Sequence, residues 1–301
     1  MNLAGEIRKL KKEKNAVILT HCYQNIEIDE VSDFTGDSFY LSRKAAETDA
    51  DIIVFAGVYF MAQSAKLLSP GKRVFLPNMK SGCLMADMID AESLKAFKAK
   101  YPGLPVVCYI NSTAEVKAEC DICCTSSNAI TVIKSLKSPK ILFVPDTHLG
   151  KWAEKKLGNV EIITYNGYCP AHLRIRMSDI ENARRKYPDA LILAHPECTA
   201  EVTDAADFTG STKEITEFAA KSRNKQFIIA TEKGVQERLQ RDYPEKEFIL
   251  INEQVICPNM KYNTLADIYN VLENEINEIF IPPETAQRAK VCIDRMLKAA
   301  V

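Results

Sequence analysis

Cys83, Cys169 and Cys257 are spaced by 86 and 88 residues (169 − 83 and 257 − 169). Each closes a matching stretch that begins with a strand-like run: KRVFLPNMKSGC at 72–83, VEIITYNGYC at 160–169 and EFILINEQVIC at 247–257. One thiol at the same point of three similar stretches suggests three units around a pseudo-threefold axis. Three thiolates meeting there form a metal or cluster site with a coordination position open for chemistry. The sequence offers no obvious fourth ligand, which favours an iron–sulfur cluster over structural zinc, normally closed and four-coordinate.

The polar groups follow the same period. Of four histidines, His21 and His195 stand in THCYQ and HPECTAEV, matched strand-end motifs of the first and third repeats. The second repeat carries Tyr109 and Asn111 instead, in YINSTAEV. Tyr23 and Glu197 follow their histidines by two residues, so on extended chain they share a face. His172 lies three residues past Cys169, while His148 has no counterpart. Tyr, His and Glu serve as general acids and bases, and Asn is an uncharged donor for carboxylates.

A further element recurs as DFTGDS at 33–38, DICCTSSN at 121–128 and DFTGST at 207–212. Its hydroxyls precede helical segments. They read either as helix N-caps or as anion-binding helix starts with free N–H groups.

The remaining cysteines read as structural. Cys120-x-x-Cys123-Cys124 is a competing metal candidate, but no second C-x-x-C or histidine pair completes it. Cys108 falls in a strand and Cys292 in the C-terminal helix; Cys22 and Cys198 flank strand ends, with lining the site as an alternative.

Short β-branched runs must position these groups. AVILTH, DIIVFAG and RVFLP form one set, PVVCYIN, KILFVPD and EIITY a second, and ALILAHPE, FIIATE and EFILIN a third. Their lack of polar alternation predicts strands buried on both faces of parallel sheets, with helical segments between them. The expected class is α/β, in three similar units: 1–103, 104–188, and 189–301 with a C-terminal helix. Ligands bind beyond the carboxyl ends of strands in such sheets, where all the matched motifs lie.

Composition excludes other classes. The net charge of −1 resembles no nucleic-acid-binding field. No apolar run approaches the ~18 residues of a membrane helix, and the N-terminus has no signal-peptide core, so a cytoplasmic protein is expected. No G-x-G-x-x-G or Walker sequence is present, which argues against nucleotide binding.

The motifs resemble the quinolinate synthase family over nearly the whole chain: H-x-Y-Q at 21–24, GDS at 36–38, FAGVYFMA at 55–62, Y-x-NSTAE at 109–115, TS-x-NA at 125–129, G-x-CP-x-H at 167–172, HPEC at 195–198, GST at 210–212 and C-x-NMK-x-NTL at 257–265. The resemblance implies three three-layer αβα domains around one 4Fe–4S cluster on Cys83, Cys169 and Cys257. It implies condensation of iminoaspartate with dihydroxyacetone phosphate to quinolinate, phosphate and water, with the imine supplied by an aspartate-oxidising enzyme. His21, Tyr23, Ser38, Tyr109, Asn111, Ser126, His172, His195, Glu197, Ser211 and Thr212 would bind substrate. Of these, Tyr23, Tyr109, Glu197 and His195 would be catalytic, and the open iron would polarise the departing hydroxyl. Gln63-Ser64, Leu84 and Lys213-Glu214 depart from the family's pattern. Two rival readings are a diphthamide-synthesis-like enzyme cleaving S-adenosylmethionine and a non-catalytic iron–sulfur carrier.

Overall fold

The computed structural model describes residues 2–299. Twelve strands form three separate four-stranded parallel sheets. The first contains β1 (Ala16–His21), β2 (Phe34–Gly36), β3 (Ile52–Ala56) and β4 (Arg73–Phe75). The second contains β5 (Val106–Tyr109), β6 (Ile122–Cys124), β7 (Lys140–Val144) and β8 (Glu161–Thr164). The third contains β9 (Leu191–Ala194), β10 (Phe208–Thr209), β11 (Gln226–Ala230) and β12 (Glu247–Leu250). Each sheet runs edge strand, first strand, third strand, fourth strand, as in β2-β1-β3-β4. The expected α/β class and the three similar units are present.

Register shows how closely the units agree. The edge pairings Thr20↔Thr35, Cys108↔Cys123 and Ala194↔Thr209 all join residues 15 apart. The central pairings Thr20↔Ala56, Cys108↔Val144 and Ala194↔Ala230 join residues 36 apart. The last, Val54↔Phe75, Phe143↔Thr164 and Ile229↔Leu250, join residues 21 apart. Since a one-residue slip would send every side chain to the opposite face of the sheet, matched register carries matched side-chain directions.

Nine of the strands fall on the nine apolar runs. The other three, β2, β6 and β10, lie inside the recurring polar element before each helix. At two or three residues they are too short for any periodicity to reveal. The aspartate opening each motif anchors the edge: Asp33, Asp121 and Asp207 accept the backbone N–H of Ile18, Val106 and Ile192 at 2.8, 2.8 and 2.7 Å.

The last two helices return to the earlier units. Leu265–Asn274 buries Ile268, Val271 and Leu272 with Ile7 and Leu10 of the first helix, Leu3–Glu13. Pro283–Ala299 buries Cys292, Ile293 and Met296 in the continuous apolar core of the first two sheets. Cys108, Cys123, Cys124 and Cys292 are all buried, and the Cys123 and Cys292 sulfurs lie 3.1 Å apart. Among the described residues no helix is long and apolar enough to cross a membrane.

Candidate active site and metal centre

The carboxyl ends of β1, β5 and β9 deliver His21, Tyr109 and His195 to one cavity. Tyr23, Ser38, Asn111, Ser126, His172, Glu197 and Thr212 line the same cavity, as do Cys83, Cys169 and Cys257. His148, Cys22 and Cys198 are outside its lining. Ser211 is also outside it. This buried residue caps the helix Thr212–Lys221, with its Oγ accepting the Glu214 N–H at 3.3 Å.

The two matched histidines are held alike. His21 Nδ1 accepts the Tyr23 N–H at 3.2 Å, and His195 Nδ1 accepts the Glu197 N–H at 3.3 Å. Each imidazole therefore carries its proton on Nε2; that of His195 meets Ser126 Oγ at 3.3 Å. Burial pushes both histidines down to about 3; Arg238 adds to this at His21, and Glu197 opposes it at His195. They are neutral donors at physiological pH.

Glu197 is the hub. The Tyr109 hydroxyl donates to Oε1 at 2.6 Å, and His172 Nδ1 lies 2.7 Å from Oε2. Burial alone would raise this carboxyl, but His172, His195 and these hydrogen bonds outweigh it and hold it below the ordinary carboxylate range. Burial and Glu197 push the Tyr109 and Tyr23 hydroxyls well above theirs. The cavity thus combines one ionised carboxylate, able to accept a proton, with two protonated phenols, able to donate one.

The hydroxyl motifs resolve into different jobs. Asp37, rather than Ser38, caps the helix Ser38–Glu47, its Oδ1 accepting the Tyr40 N–H at 2.8 Å. Asn128 Oδ1 accepts the Thr125 N–H at 2.7 Å and shapes the turn that presents Ser126. Ser38 and Thr212 open their helices, where unpaired N–H groups favour anions.

Each of the three cysteines is half-buried and precedes a 3-10 turn: Ala86–Met88, His172–Arg174 and Pro258–Tyr262. The backbone N–H three residues on, from Ala86, His172 and Met260, favours the thiolate of Cys83, Cys169 and Cys257. Burial works the other way, raising Cys83 to about 12 and Cys169 well above the ordinary thiol range, and nearby negative charge, from Glu197 at Cys169 and from the neighbouring cysteines at both, adds to it. A cationic group is what lets such thiols ionise together. Three convergent thiols, each with a backbone donor toward sulfur, fit a cluster held by three cysteines. The loop bearing Cys169 is fixed by Gly167, whose N–H donates to Pro145 O at 3.0 Å; a Cβ there would lie 2.5 Å from that oxygen.

Two residues escaped the sequence reading. Thr231, wholly buried after β11, bridges two predicted residues: its Oγ1 is 2.9 Å from His172 Nε2 and 3.2 Å from the Tyr23 hydroxyl. Its matched positions by register are Gly57 and Pro145, so the repeat itself carried no signal. Arg174 is the only lysine or arginine among the described residues lining the cavity. Among the departures from the family pattern, Gln63 has a structural role. Its Oε1 accepts the Ala114 N–H at 3.0 Å and ties the first unit to the start of the helix Ala114–Lys117 in the second.

The sequence matches the family model described as "Quinolinate synthetase A protein" over residues 5–298. It is similar to proteins named quinolinate synthase in Alkaliphilus metalliredigens, at 49% identity over 99% of this chain and 98% of that one, and Dehalococcoides mccartyi, at 50% over 98% of each. The Aquifex aeolicus protein of the same name is 46% identical over 98% of this chain and 94% of its own. With the family matched from end to end, the chain belongs to the quinolinate synthetase A, or NadA, family.

Proposed function

We propose that the chain is a quinolinate synthase of NAD biosynthesis that condenses iminoaspartate with dihydroxyacetone phosphate, releasing phosphate and water. The reading rests above all on one observation: three period-matched cysteines line the same cavity as Tyr23, Tyr109, His195 and Glu197. It assigns the three units to 1–103, 104–188 and 189–301, and the protein to the cytoplasm. The reactive imine would come from an aspartate-oxidising enzyme.

Cys83, Cys169 and Cys257 would hold a 4Fe–4S cluster, which supplies a Lewis-acidic iron with no protein ligand. The chain's own groups do the rest. His21 and His195 offer Nε2–H, Asn111 its amide, and Ser38, Ser126 and Thr212 their hydroxyls, to substrate carboxylates and phosphate. Ser211 supports Thr212 by fixing the helix start. Arg174 supplies the cationic charge. Glu197 accepts a proton during enolisation, and Tyr109 and Tyr23 return protons as the ring closes and water leaves. His172 orients Glu197 and keeps its carboxylate ionised.

Anaerobic reconstitution with iron and sulfide, followed by assay for quinolinate from the two substrates, tests the proposal. Product dependent on all three cysteines is expected. Cleavage of S-adenosylmethionine without quinolinate would replace this reading with the diphthamide-type one. A cluster spectrum indifferent to both substrates, with no product, would leave only a carrier.

A further inference from the structure

Cys169, His172 and Glu197 bring one potential ligand atom each within 4.8 Å of one another. His172 Nδ1 is 3.2 Å from Cys169 Sγ and 2.7 Å from Glu197 Oε2. One thiolate, one imidazole and one carboxylate make a donor set for a tetrahedral divalent ion with one open position, the pattern of zinc. Thiolate and imidazole together disfavour magnesium and calcium.

The surroundings supply what a metal site needs beyond its ligands. A ligating histidine normally gives its other ring N–H to an oxygen, and Thr231 Oγ1 stands 2.9 Å from Nε2. A ligating carboxylate is normally held on its free oxygen, and the Tyr109 hydroxyl donates to Oε1 at 2.6 Å. All three ligands line the cavity, which gives an entry path. Charge also balances: one thiolate and one carboxylate neutralise the ion in a buried place, whereas three thiolates would leave a net negative charge there.

We propose that the cluster-free chain binds one zinc ion through Cys169 Sγ, His172 Nδ1 and Glu197 Oε2. Binding displaces the Cys169 thiol proton to solvent and shifts the Nδ1 proton to Nε2, where Thr231 accepts it. Resting on the reading of Cys169 as a cluster ligand, zinc and cluster are mutually exclusive.

The test is anaerobic titration of reduced, cluster-free full-length protein with Zn²⁺ against a chromogenic chelator, with Co²⁺ as spectroscopic probe. One ion per chain is expected, with a Co²⁺ spectrum of a tetrahedral, thiolate-bearing site. Glu197→Gln, nearly isosteric, and Cys169→Ala should weaken Zn²⁺ binding by about 100-fold or more, and Thr231→Val by roughly 10-fold. Cys83→Ala and Cys257→Ala should bind like the parent chain. Equal losses in Cys83→Ala, or unchanged affinity in Glu197→Gln with an unchanged melting temperature, overturn the site. Zinc-loaded protein should also take up little iron on reconstitution until a chelator removes the zinc. Undiminished iron uptake with zinc still bound overturns the exclusion and the Cys169 cluster assignment, while leaving the zinc site intact.

Discussion

The Tyr109 hydroxyl donates to Glu197 Oε1 at 2.6 Å, joining the end of β5 in the second sheet to the loop after β9 in the third. The two residues are 88 positions apart, close to the repeat period, yet they are not equivalent within it: Glu197 matches Asn111. The site is therefore built across units, with non-equivalent positions of different strand ends meeting at a shared centre. Both groups are buried, so the hydrogen bond is made in a low dielectric, where its loss is costly.

Tyr109→Phe and Glu197→Gln should each lower kcat by about 10²- to 10⁴-fold, the usual contribution of a positioned acid or base. Because the two groups form one unit, the double variant should lose far less than the product of the single losses. Steady-state kinetics of reconstituted protein decide the matter; fully multiplicative losses would mean that the pair does not act together.

Cys83→Ala, Cys169→Ala and Cys257→Ala should each remove the visible absorbance, the bound iron and the product. Cys123→Ala, which changes only a buried thiol packed beside Cys292, should keep all three. Iron analysis after reconstitution is the measurement, and loss of the cluster in Cys123→Ala alone would refute the ligand assignment.

The repeat was legible because chemistry and register share one period. The cysteines, the matched His21 and His195, and the Asp-Phe-Thr-Gly segments all marked it. What Asp33, Asp121 and Asp207 do was not legible: closing the sheet edge requires knowing that a strand follows each of them. Thr231 was hidden because one hydroxyl after an apolar run looks like any strand end. The hydroxyl motifs read equally well as caps or as anion sites, and the structure divides them, with Ser211 capping and Thr212 lining the cavity. The packing of Leu265–Asn274 and Pro283–Ala299 on earlier units is a long-range result that an amphipathic pattern cannot specify.

Thr231→Val should lower kcat by roughly 10-fold with little change in KM, since it removes a hydroxyl that positions Tyr23 and His172 without itself lining the cavity. Leaving buried partners unsatisfied also costs about 1–3 kcal/mol of stability. Thr231→Ser, which keeps the hydroxyl, should recover most of the rate. If the serine variant were as slow as the valine one, lost packing rather than the hydrogen bonds would explain the defect.

His21 gives the structure a defined response to acid. Its imidazole titrates near 6.5 when unfolded, but burial and Arg238 push it down to about 3 in the fold. Between those values the unfolded chain binds one more proton than the folded chain, so stability falls as pH falls. The contribution of neutral His21 is fully present above the unfolded value and disappears as pH drops toward the folded one. Through that window it changes stability by about 1.4 kcal/mol per pH unit. His21→Gln removes this titration while leaving His195 and Glu197, which act in the same direction. Urea unfolding of the cluster-free chain near pH 6 and pH 5 should therefore show a shallower pH slope in the variant, by about one proton. An identical slope in the two proteins would mean that His21 is not held neutral in the folded state.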